Sequence, residues 1–264
     1  EKDYVLNWIL AGISNQVELS KTWIFKGGTC LKKCFFKDYR FSEDLDFTLI
    51  DKSHLNNKFL QEQFHNISVW IYEQSGIEIP SSQIRFEIYN NPRGNLSIEG
   101  RVSYRGPMQR KGNLSRIKLD LTTDEKIVLK PEERDVYHPY GDTSNDPIII
   151  QSYCLEEIFA EKLRALIERL RPRDLYDVIH LYHDQRWQPN RHNLLNSLQQ
   201  KCAYKKVALP TLALLESKPE KSELITEWEN MLAHQINNLR PFDYYWQQLP
   251  GVLNWIYGED GIYF

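Results

Sequence analysis

Methionine and cysteine are scarce in this chain, two and four residues out of 264. The cysteines Cys30, Cys34, Cys154 and Cys202 make no CxxC and no zinc-like Cys/His spacing, which sets aside a structural zinc module. Cys30 and Cys34 fall one turn apart on an expected helix, a spacing that suits packing better than a disulfide, so the chain is read as reduced and cytoplasmic. No run approaches the roughly eighteen continuous apolar residues of a membrane span. The start Glu1-Lys2-Asp3-Tyr4 lacks the basic, apolar and small-residue layout of a secretory signal. No membrane partner is expected. Internal repeats and low-complexity tracts are missing too. A net charge of −3 excludes a generally basic nucleic-acid coat. Acidic residues are nevertheless absent from one stretch, which holds Arg101, Arg105, Arg110, Lys111, Arg116 and Lys118. Such a run is either a solvated loop or a phosphate-contacting surface.

What remains is an ordinary globular composition, 41% hydrophobic and 26% charged, long enough for one large domain or two modest ones. The first half reads as mixed α/β. A helix leads to a short strand at 22–25, and a second helix runs through Leu31 and Cys34. Strands with period-two texture follow at 44–49, 84–89, 96–104 and 115–121, with a helix at 59–74. The prolines of 131–147 predict a long connection. After it come a short strand at 148–150 and helices at 155–170, 174–183, 194–200, 209–215 and 224–237. The division expected is an α/β domain over 1–150 and a mostly helical one over 151–264. The closing aromatics (Phe242, Tyr244, Tyr245, Trp246, Trp255, Tyr257) read as core and docking surface rather than a base-stacking platform.

Two pieces carry chemistry: Phe25-Lys26-Gly27-Gly28-Thr29, and Arg40-Phe41-Ser42-Glu43-Asp44-Leu45-Asp46-Phe47-Thr48-Leu49. In the second, Leu45, Phe47 and Leu49 alternate with Asp44, Asp46 and Thr48, so a strand turns the apolar trio inward and both carboxylates to one side. Two ionised aspartates that close are costly without a counter-charge. Mg2+ supplies one, since it takes hard oxygen ligands and pairs with substrate phosphates. A glycine pair ahead of the strand lets backbone approach those phosphates. Phosphoryl or nucleotidyl transfer is the implied chemistry.

Ser115–Thr122 alternates again and sets Asp120 on the face of Arg116 and Lys118. Alone, Asp120 reads as a solvent-face residue; beside Asp44 and Asp46 it becomes a third carboxylate for one or two ions. On the helix 155–170, Lys162 falls inside the apolar stripe of Leu155, Phe159, Leu163, Leu166 and Leu170. Its ammonium either snorkels along its stem or meets a triphosphate or a carboxylate, and Asp174 is one partner within reach. Asp174 and Asp177, just past Pro172, also suit plain capping of the next helix.

In this order, Lys26-Gly27-Gly28-Thr29, Arg40-x-Ser42-x-Asp44-Leu45-Asp46-Phe47, Lys118-Leu119-Asp120, Ala160-Glu161-Lys162-Leu163-Arg164-Ala165-Leu166 and Arg173-Asp174-Leu175-Tyr176-Asp177 resemble the AbiEii/AbiGii-type nucleotidyltransferases. These are toxins of bacterial type IV toxin–antitoxin systems, a group that includes the MenA toxins. The resemblance spans about residues 22–182. It implies a DNA polymerase β-like nucleotidyltransferase fold, α/β in the α+β sense, with a helical C-terminal half completing the active-site cleft. Asp44 and Asp46 would hold Mg2+, with Asp120 third. Lys162 would contact the triphosphate of an NTP, and Asp174 would be an essential acidic partner. Lys26, Gly27, Gly28, Thr29, Arg40, Ser42, Lys118 and Asp177 complete the expected NTP-binding set. Many polymerase β relatives carry Gly-Ser where this chain has Gly27-Gly28, and Thr29 is the expected source of the hydroxyl. The resemblance further implies an RNA acceptor, the 3′ end of tRNA, and a cognate antitoxin that need not form a lasting complex. Two other readings stay open: transfer to a small molecule or protein, and a non-catalytic nucleotide-binding module.

Overall fold

Alternating apolar and polar side chains build most of a seven-stranded mixed sheet. The computed structural model describes residues 1–109, 112–142, 147–184 and 186–258. Within them the strands are β1 (Trp23–Lys26), β2 (Asp44–Leu49), β3 (Ile84–Asn90), β4 (Leu96–Tyr104), β5 (Ser115–Thr122), β6 (Glu132–Asp135) and β7 (Ile149–Ser152). They lie in the order β3-β4-β5-β2-β1-β7-β6. β2 runs parallel to β5 and β1 parallel to β7, while the other neighbours are antiparallel.

One sheet face is the core. Trp23, Phe25, Leu45, Phe47, Ile117, Leu119, Leu121, Ile98 and Val102 are all buried on it. The Phe47 ring lies 5.5 Å from Trp23 and 5.1 Å from Phe25, and Phe64 lies 5.1 Å from Phe86. Phe64 belongs to helix α4 (Asn57–Ser75), which follows α1 (Lys2–Asn15), α2 (Val17–Thr22) and the short α3 (Gly27–Cys30). Its apolar stripe of Leu60, Phe64, Ile67 and Ile71 is buried, and the Asn56 side chain accepts from Phe59 N at 3.1 Å to start the helix.

Contacts divide the chain into two units. The sheet unit is Glu1–Glu125 with Pro131–Tyr153; the helical unit is Lys126–Lys130 with Cys154–Phe264. Helices α5 (Leu155–Arg169), α6 (Pro172–His183) and α7 (Arg191–Lys205) are the longest of the second. Five shorter ones follow: α8 (Leu212–Ser217), α9 (Lys221–Thr226), α10 (Trp228–Leu232), α11 (Phe242–Trp246) and α12 (Leu249–Tyr257). The reason residues 126–130 join the helices is Glu157. Its carboxylate is fully buried and accepts from Val128 N at 2.9 Å and Leu129 N at 2.7 Å. Lys201, also buried, faces it at 2.9 Å and donates to Lys126 O at 3.0 Å.

Most of the closing aromatics pack inside the helical unit, Trp228 against Tyr245 at 4.9 Å, Phe242 against Trp246 at 5.3 Å and Trp255 stacked on Phe159 at 6.2 Å, while Tyr244 is exposed. Two expectations need correction. The connection over 131–147 contains β6, whose Glu-Glu-Arg-Asp sequence has no apolar alternation and is held by antiparallel pairing to β7. The helix expected over 224–237 is two short ones, α9 and α10, meeting at Glu227. No helix among the described residues is long and apolar enough to cross a membrane.

Candidate active site

β1 delivers the chain to Lys26, whose Cα pairs with Asp46 on β2. The next residue, Gly27, has φ +80°, a conformation that costs an L-residue roughly 1–2 kcal/mol. A Cβ there would also stand 2.3 Å from Asp46 Oδ2. At Gly28 a Cβ would meet Arg40 Nη2 at 2.9 Å and Ser42 Oγ at 3.0 Å. The two glycines are therefore pressed against the Asp46 carboxylate and the Arg40–Ser42 segment. Thr29 does not offer the free hydroxyl expected of it. It is buried, and Oγ1 donates to the Asp44 carbonyl at 2.6 Å, tying the turn to the aspartate strand. Ser42 Oγ, beside Gly28, is the hydroxyl nearest the position where Gly-Ser relatives carry their own.

The parallel register sets Asp46 opposite Asp120 and Asp44 opposite Lys118. On the far side Asp120 pairs with Glu99 and Lys118 with Arg101. Asp120 thus shares a row with Asp46, as the alternation implies, and its carboxylate accepts from Lys118 Nζ at 3.1 Å. Burial alone would lower the Lys118 pKa. The bond and charge of Asp120, joined by Glu99, outweigh that and hold it above the ordinary lysine value. Among the described residues no three His, Cys, Asp or Glu side chains stand close enough together to hold an ion. The hard-oxygen pair Asp44 and Asp46 still suits Mg2+, which is typically held by one or two carboxylates plus substrate phosphates.

The basic run is not an unopposed surface. Arg101 contacts Glu99 at 2.6 Å and Glu87 at 3.0 Å, and Arg105 contacts Glu78 at 3.1 Å. Arg110 and Lys111 lie outside the described residues. Glu87 and Glu78 come from neighbouring segments that the linear run does not show, while Glu99 stands two residues ahead of Arg101 on the same strand.

In the helical unit Lys162 is buried, and its ammonium stands 2.8 Å from Oδ2 of the fully buried Asp177. Asp174 is not its partner. That carboxylate, also fully buried, receives Arg169 in a two-pronged bond of 2.7 and 2.8 Å. Nor does Asp174 cap α6: Arg171 is the cap residue, Pro172 opens the helix, and Asp174 sits in its first turn.

Four functional candidates escaped the sequence reading. Asp124 is buried and accepts from Asn91 Nδ2 (2.7 Å), Arg93 Nε (2.9 Å) and Asn95 Nδ2 (2.8 Å), which pins the β3–β4 hairpin tip. Glu125, its neighbour, has Oε1 3.6 Å from Lys26 Nζ, with both side chains 9% exposed. Glu157 and Lys201 form the buried pair already described. Adjacent acids in a loop carry no periodicity, so only their placement just past a carboxylate-bearing strand could have drawn notice.

A glycine turn packed on paired aspartates of the central strand of a mixed sheet, with a helical unit following in the chain, defines a nucleotidyltransferase. The sequence profile described as "Nucleotidyl transferase AbiEii toxin, Type IV TA system" matches residues 8–248, and the chain belongs to that family. Among solved structures it is similar to MenT4, a nucleotidyltransferase toxin from Mycobacterium tuberculosis H37Rv. That similarity has a TM-score of 0.61 at 15% identity and covers 97% of this chain and 82% of the other. No curated protein sequence matches significantly.

Proposed function

We propose that this nucleotidyltransferase toxin moves a nucleotide from a Mg2+-bound NTP to RNA, at the 3′ end of tRNA. The observation that carries the reading is the contact of Gly27 and Gly28 with Asp46, Arg40 and Ser42. It brings backbone suited to phosphates against carboxylates suited to the ion. Asp44 and Asp46 would hold the ion, and Asp120, which forms no three-carboxylate cluster with them, would take the proton of the incoming hydroxyl. When bound, the ion neutralises charge on the phosphates and fixes the in-line geometry of displacement. Lys26, Arg40 and Ser42 orient the phosphates, and Lys162 offsets triphosphate charge, with Asp177 fixing its head. A cognate antitoxin opposes the activity in the cell.

The test is incubation with labelled NTPs, Mg2+ and total bacterial RNA, with Asp44→Ala as control. Label should enter RNA and should not with the variant. A second reading, transfer to a small hydroxyl-bearing molecule, draws on the ion pairs of Arg101, Arg105 and Lys118, which leave less free positive charge for RNA. Charge reversal at Arg105 and Arg116 separates the two, since it should weaken RNA modification and spare a small acceptor.

A further inference from the structure

We infer that Glu125 is the counterion which the Lys26 ammonium exchanges for the triphosphate when nucleotide binds. The inference deepens the proposed function and rests on that reading of Lys26. Lys26 is the last residue of β1, directly before Gly27, and its Cα pairs with the metal-binding candidate Asp46. Its side chain is withdrawn from water, Nζ lies 3.6 Å from Glu125 Oε1, and the Tyr153 ring is 6.0 Å away. A buried ammonium needs a negative partner in every state of the protein.

Glu125 is held where that exchange requires it. The preceding residue, Asp124, takes donors from Asn91, Arg93 and Asn95, and its own N–H donates to Thr122 Oγ1 at 3.0 Å. Glu125 is thereby anchored through the hairpin tip and the end of β5, while Lys26 has a long flexible stem. A 3.6 Å separation is an ion pair with no tight hydrogen bond between these atoms, so trading this carboxylate oxygen for a phosphate oxygen breaks no short bond between Lys26 Nζ and Glu125 Oε1. The fixed glutamate then repels the incoming polyanion and disfavours phosphate binding that does not recruit Lys26.

The sign of one substitution tests this. Equilibrium dialysis with each of the four Mg·NTPs compares wild type, Glu125→Gln, Lys26→Met and the double variant. Glu125→Gln should bind the preferred NTP at least threefold more tightly. Lys26→Met should bind more weakly, and its cost should be larger when added to Glu125→Gln than when made in the wild type. If Glu125 merely props Lys26 in place, Glu125→Gln weakens binding as Lys26→Met does, and the inference is overturned. Should Glu125→Gln lose its fold by circular dichroism, Glu125→Asp keeps the charge but shortens its reach and should give a smaller tightening. A weakening there overturns the inference equally. Wild type that binds no NTP at all defeats the proposed function itself, a result distinct from an unchanged or weakened Glu125 variant.

Discussion

Lys162→Met should unfold the helical unit more readily, and the structure gives the scale. The ammonium and the Asp177 carboxylate are 2.8 Å apart with side chains 11% and 0% exposed. Removing one member of such a pair leaves the other charge out of water and typically costs about 3–5 kcal/mol. Total stability for a domain is commonly about 5–15 kcal/mol, so the loss is a large share of it. Urea unfolding followed by circular dichroism should show the midpoint falling while the slope stays constant. Removing both charges with Lys162→Met/Asp177→Leu should recover most of the loss, because an apolar pair fills the site without a desolvated ion. The double variant then isolates chemistry from folding. It should be folded and still fail to transfer nucleotide. A Lys162→Met protein within about 1 kcal/mol of wild type would refute the buried-pair reasoning, since losing one buried partner ordinarily costs several times that. A stable double variant with wild-type transfer would remove Lys162 from the reaction.

Gly27→Ala should depress transfer sharply, because its Cβ displaces the Asp46 carboxylate; the backbone strain adds about 1–2 kcal/mol, and single-turnover rates with unfolding curves read the two effects. Lys201→Met strips a buried cation from Glu157 and should destabilise by about 3–5 kcal/mol, recovered in part by adding Glu157→Gln, as urea midpoints would show. His138 gives a pH signature: burial holds its pKa below the ordinary 6.5. The unfolded chain then takes up the proton at higher pH than the native one, so stability is whole above that value and declines as pH falls past it. His138→Gln should flatten that part of the acid limb, and an unchanged limb would contradict the assignment.

Elements governed by their own alternation were legible from residues alone. β2 begins and ends where Asp44–Leu49 predicts, and β4 likewise spans Leu96–Tyr104. β6 was not legible, because Glu132–Asp135 has no apolar face and owes its extension to β7. The same divide runs through the candidate site. Asp44 and Asp46 share a side because they are two residues apart on one strand. The partners of Lys162 and Asp174 depend on how two helices meet beyond the Pro172 break, and proximity in sequence pointed to the wrong pairing. Glu87 reaches Arg101 through the pairing of β3 with β4, which a linear run of basic residues conceals.

Residues 126–130 belong to the helices although the chain then returns to the sheet for 131–153. The polypeptide is consequently interlaced, crossing over three times, and no single scission liberates both halves intact. A fragment starting at residue 154 would leave Glu157 without the backbone amides of Val128 and Leu129. Split-protein reconstitution and domain-by-domain expression must carry that five-residue loop along with the C-terminal half, or graft it there by circular permutation.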